Sequence, residues 1–127
     1  YIHKDLPDLM SKQNIKAFYF EDLLLSNQSI NENYTAFTKD LINPMGLEID
    51  LDSIENVLSS AATASGFAVN DIRKILLGND NVFSYLHICE GATKLTDGRE
   101  DLTTGKTIAY LISDFIKALL PRISPQP

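Results

Sequence analysis

Residues 47–52 read Leu47-Glu48-Ile49-Asp50-Leu51-Asp52, with apolar and acidic side chains in strict alternation. A period of two belongs to an extended segment with one dry face and one wet face. Six residues do not make a sheet, because a strand needs a ladder partner and several neighbours to be stable. No second stretch alternates convincingly. The segment is therefore expected to be an extended connector whose apolar residues lie down on helices, and that expectation makes the chain all-α.

Away from this connector the apolar positions recur every three or four residues, and 17 Leu and 13 Ile stand beside only three Val. Both features favour helices. Upstream, one helix is expected over Ser11 to Leu25. A second starts behind Ser29 and Glu32, whose spacing is that of a capping box, and stops before Pro44. Downstream, Asp52 and Glu55 open a third helix carrying Ile54, Val57, Leu58, Ala61 and Ala62 to Ser65 and Gly66. A fourth runs from Asn70 to Leu77 and ends at Gly78. The fifth covers Asp80 to Leu95, with Val82, Phe83, Leu86, Cys89 and Ala92 inward. The sixth runs from Thr103 or Thr104 to Leu120, placing Ile108, Leu111, Ile112, Phe115, Ile116, Leu119 and Leu120 on one broad apolar face before Pro121. The expected architecture is one compact all-α domain over residues 1–120. It has five or six helices in an orthogonal or antiparallel bundle with a long C-terminal helix, followed by a flexible tail over 121–127.

Composition narrows the function classes. Leu, Ile, Val and Phe supply 39 of 127 residues, too many for a disordered chain. The single cysteine, Cys89, cannot close an internal disulfide or hold a metal cluster alone. No apolar run approaches the roughly 18 residues needed to cross a bilayer, so no membrane role is expected. A cytoplasmic setting is expected, while the sequons Asn27-Gln28-Ser29 and Asn33-Tyr34-Thr35 leave an extracellular one open. Gly105-Lys106-Thr107 has the ending of a phosphate loop, but Glu100 stands where the motif needs its first glycine. His87 and Glu90, three apart on the expected helix, could meet one ligand, but Cys89 points to a different side and no third ligand stands with them. No catalytic residue, metal or cofactor is expected, which favours a non-enzymatic protein.

Charge is more informative. The chain carries 17 Asp and Glu against 11 Lys and Arg, a net charge of −6. Between Asp40 and Ile72 lie Asp40, Glu48, Asp50, Asp52, Glu55 and Asp71, and no Lys or Arg. A concentrated negative field steers a positive partner and suppresses wrong encounters. Glu48, Asp50, Asp52 and Glu55 are therefore the expected partner-binding surface of a regulatory or binding domain, and the expected partner is a protein with a basic surface. Oligomeric state is left open.

Two short stretches resemble known families. Ala62-Thr63-Ala64-Ser65-Gly66-Phe67, followed by Ile72 and Ile75, resembles the helix-turn-helix of bacterial and phage DNA-binding regulators. That resemblance implies a reading helix presenting Asn70, Arg73 and Lys74 to nucleic acid, although the net negative charge disfavours such a partner. Asp52-Ser53-Ile54 resembles the modification site of acyl and peptidyl carrier proteins, which implies a phosphopantetheine arm on Ser53.

Overall fold

The computed structural model describes residues 4–42, 44–78 and 83–120. Along the chain run α1 (Leu6–Lys12), α2 (Phe20–Leu25), α3 (Ile30–Thr38), β1 (Met45–Asp50), a single 3-10 turn (Leu51–Ser53), α4 (Val69–Gly78), β2 (Phe83–Cys89) and α5 (Thr103–Leu119). β1 and β2 pair in parallel. The chain is therefore mixed α/β, and the all-α helical bundle expected from its periodicity is corrected. A parallel pair needs a crossover, and here α4 lies within it, packed against both α3 and α5.

The alternation of residues 47–52 marks a true strand whose partner lies far along the chain. Leu47 stands opposite Leu86, Glu48 opposite His87, Ile49 opposite Ile88 and Asp50 opposite Cys89. That partner was hidden by a bulge. Met45 faces Phe83 while Gly46 faces Tyr85, so Ser84 is an extra residue in β2. The bulge switches the parity of the strand, because an inserted residue turns every later side chain to the opposite face. Phe83 is consequently buried, and Leu86 and Ile88 pack against the same core. Inward positions 83, 86 and 88 imitate the start of a helical stripe, which explains the mistaken helix over 80–95. Its first residues, Asp80 to Val82, and the expected tail 121–127 lie outside the described residues.

The expected helix over 52–65 is also replaced. After the 3-10 turn, Ile54 bridges Phe67, Phe67 N–H donates to Ser53 O at 2.9 Å and Glu55 N–H donates to Phe67 O at 3.0 Å. Asn56 sits at φ 61°, a left-handed conformation that stops a right-handed helix. Ser and Thr side chains through this stretch compete with helical hydrogen bonds, as Thr63 does in donating to Ser65 O. Gly66 closes the loop because any Cβ there would sit 2.3 Å from Ser53 O. The loop is anchored rather than loose: Ile54 and Val57 enter the core with Ile49, Leu51, Leu76, Phe83 and Leu111.

Elsewhere local signals hold. Ser29 accepts from Glu32 N–H and Glu32 Oε2 accepts from Ser29 N–H at 2.7 Å, completing the capping box of α3. The first expected helix is divided into α1 and α2, with Asn14 at φ 54° between them. α4 and α5 lie where their periodicity puts them. The broad apolar face of α5 does not all go inward, since Leu111 is fully buried while Ile112, Ile116, Leu119 and Leu120 are exposed. Among the described residues no helix is long and apolar enough to cross a membrane.

Candidate functional site

In a parallel sheet all strand ends of one kind lie on one side, so β1 and β2 bring the residues after their last ladder positions together. β1 ends in Glu48-Ile49-Asp50 and passes into Leu51-Asp52. β2 ends at Cys89 and passes into Glu90. The core takes Ile49 and Leu51, leaving Glu48 and Asp50 on the wet face of β1. Sheets of this kind hold ligands outside the carboxyl ends of their strands.

Several features shape the wet face of β1 and the turn at its carboxyl end. Tyr85 Oη donates to Glu48 Oε1 at 3.4 Å, and the ring crosses Gly46 so closely that a Cβ there would meet its Cζ at 2.1 Å. Asp50 Oδ1 accepts from Asp52 N–H at 3.0 Å, while Ser53 Oγ donates to Asp50 O at 2.6 Å. These bonds turn the chain immediately after β1. Glu90 stands at φ 61°, a conformation that costs a non-glycine residue about 1–2 kcal/mol and that gathers at functional sites.

Burial pushes the Cys89 thiol above its ordinary range, and the charges of Asp50, Glu90, Glu48 and Asp52 push it further the same way. Among the described residues none of these four carboxylates has a salt bridge. Unpartnered polar atoms flank the same end. Asp52 Oδ1, Ser59 Oγ and Thr104 Oγ1 are buried without a hydrogen-bond partner. Gly91 lies against Leu51 and Thr104, and Leu58 O accepts from Ala92 N–H at 3.0 Å, which sets Thr104 and Ser59 beside the loop that follows Glu90. Among the described residues no group of three or more His, Cys, Asp and Glu side chains is disposed to hold a metal ion.

Of the residues expected to bind a partner, Glu48, Asp50 and Asp52 meet here. Glu55 is carried away into the loop closed by Ile54 and Phe67. Glu90, which the sequence offers only as a possible metal ligand with His87, joins them here, and nothing local in the sequence ties it to β1. Ser53 lies in a single 3-10 turn with its hydroxyl bound to Asp50 O, not at the start of an α-helix. Asn70 is exposed on α4. Arg73 is turned to Asp114 on α5, with Nε 2.6 Å from Oδ2, and its guanidinium lies 4.7 Å from the Tyr110 ring centre. Lys74 pairs with Asp71 at 3.2 Å. No α-helix occupies residues 54–65 before α4, so the two-helix frame implied by the helix-turn-helix resemblance is not formed.

No family model matches the chain, and no curated protein matches it. Among solved structures it is similar to the arginase of Entamoeba histolytica in complex with L-ornithine, with a TM-score of 0.67 at 19% identity. The likeness covers 91% of this chain but only 40% of that one. At such identity it is a likeness of fold, and it places the parallel pair and its flanking helices within an α/β architecture.

Proposed function

We propose that the chain binds a small, positively charged ligand of the basic amino-acid class at the carboxyl end of its parallel sheet, with Glu48, Asp50, Asp52 and Glu90 as the anionic wall. The observation that carries this is the placement of these carboxylates on the second half of β1 and on the turns that follow β1 and β2, with Asp50 opposite Cys89 and none paired by a described cation, where α/β sheets hold ligands. The partner keeps the positive charge expected from the sequence. Its size is reconsidered because the carboxylates stand at the strand ends, beside the turn after β1 and the loop after β2. The ligand class is supported by the L-ornithine named with the arginase of similar fold.

The test is a titration of the chain with L-ornithine, L-arginine and L-norvaline, followed by amide chemical shifts. Saturable binding of the two cations, with no response to norvaline, is expected. Removing one carboxylate by Asp50→Asn or Glu90→Gln should weaken binding about tenfold, equivalent to about 1.4 kcal/mol. Asp40→Asn should leave it unchanged. A response to norvaline equal to that of ornithine, or binding indifferent to both substitutions, would refute the reading. So would a failure of the free amino acids to bind when a basic polypeptide does.

A further inference from the structure

A cavity of about 200 Å³ lies between α2, α3, Phe67 and Ile75. It is a half-open cleft, since of its ten lining residues only Asn33 and Ile75 are buried. Its walls are rings from Phe20, Tyr34, Phe37 and Phe67, with Leu23 and Ile75 as aliphatic surface. Phe18 and Tyr19 also line it and are 45% and 49% exposed, which gives the space a solvent side.

Water is a poor occupant. A bound water needs two to four polar partners, whereas the amide in this wall, Asn33, is already committed and the other polar side-chain groups of the lining are the hydroxyls of Tyr19 and Tyr34. Asn33 Nδ2 donates to Ser26 Oγ, Gln28 O and Ser29 O at 3.2, 3.3 and 3.1 Å. Those bonds tie Asn33 to the entry of α3 and hold the wall in shape. The rings stand in non-parallel pairs: Phe18 and Phe37 are 6.5 Å apart at 53°, and Phe20 meets Phe67 at 5.2 Å and 75°. Such walls offer both ring faces and ring edges, the two surfaces that favour another aromatic ring. A dry apolar cavity of roughly 150 Å³ is enough to take benzene.

We infer that this cavity is a second binding site, separate from the carboxylate end of the sheet, for an uncharged aromatic molecule of one or two fused rings. The occupant is a small molecule because the cleft holds about 200 Å³, little more than the volume of one ring. A peptide helix or strand would need a longer groove.

Titration with indole, benzyl alcohol and cyclohexylmethanol, read by amide shifts and intermolecular NOEs, tests this. Indole should saturate, with NOEs to Phe67 and Ile75, and benzyl alcohol should bind roughly three- to tenfold tighter than cyclohexylmethanol. Ile30→Trp and Leu23→Trp place a ring in the space and should weaken indole binding at least about tenfold while keeping native circular dichroism. No saturation, equal affinity for the aromatic and saturated alcohols, or NOEs to residues elsewhere would each overturn the inference. Undiminished binding by a folded filling variant would do the same. The NOEs on the unaltered chain decide the matter if neither variant folds.

Discussion

Replacing Leu111 by alanine, with Ile112→Ala as its neighbour and control, separates the observed fold from a bundle in which α5 buries a broad face. Leu111 is 0% exposed and belongs to the central cluster with Ile49, Leu76 and Phe83, whereas Ile112 is 44% exposed. Removing three buried carbon groups forfeits about 0.8 kcal/mol each, and the cavity left behind raises the total to about 3–4 kcal/mol. Ile112→Ala loses little burial and gains a few tenths of a kcal/mol of helix propensity, so its net effect should stay within about 1 kcal/mol. Against a typical domain stability of about 5–15 kcal/mol, the first change is severe and the second is minor. Urea denaturation followed by circular dichroism reads both. With a slope of about 1.5 kcal/mol/M, the midpoint should fall by roughly 2 M for Leu111→Ala and by less than about 0.7 M for Ile112→Ala, with the slope unchanged. Equal losses for the two variants would show that α5 does not bury Leu111 in preference to Ile112, and the description of the core would be wrong.

Other consequences are equally open to measurement. Cys89 should react slowly with iodoacetamide at pH 8, and Asp50→Asn with Glu90→Gln should speed it by lowering the thiol pKa; unchanged rates would mean the carboxylates do not surround it. Ser29→Ala should cost about 1 kcal/mol in thermal or urea melts. The hydrogen bonds from Ser29 hold the Glu32 carboxyl below its ordinary value in the folded chain, so their stabilisation is present above about pH 4.3 and is lost as pH falls through the lower folded value. Ser29→Ala keeps the backbone donor, the larger of the two causes, so it should flatten the acid limb only in part; a Glu32 carboxyl at its ordinary value in the unaltered chain, read by NMR, would contradict the capping box. Arg73→Ala should lower the melting temperature by leaving the buried Asp114 with only the longer 3.9 Å pair to Lys117, while Lys74→Ala should not; equal and small effects would return Arg73 to the list of free surface cations.

Local chemistry made part of this molecule legible. The spacing of Ser29 and Glu32 specifies a helix start because both partners of the capping box lie within one turn. α4 and α5 announce themselves because a helix's hydrogen bonds and its apolar stripe are properties of one continuous segment. The alternation at 47–52 likewise sorts Glu48 and Asp50 onto the wet face of β1, and the charge map brings Asp52 with them. Three members of the candidate site could thus be named without coordinates.

Tertiary structure decided the rest. A strand's identity depends on its partner, and β1 finds β2 only across a crossover that contains α4. The bulge at Ser84 removed the period-two signature that would have revealed that partner. Glu90 joins the site only because parallel pairing puts the ends of both strands on one side, and Glu55 leaves it because Ile54 is drawn to Phe67. On α5, Leu111 and Ile112 are alike in hydropathy, and only the position of the sheet and α4 chooses between them. The sequence by itself thus determined where apolar and acidic surface is available, since that is written residue by residue. Which surfaces meet was settled by non-local contacts, whose energies no single segment contains.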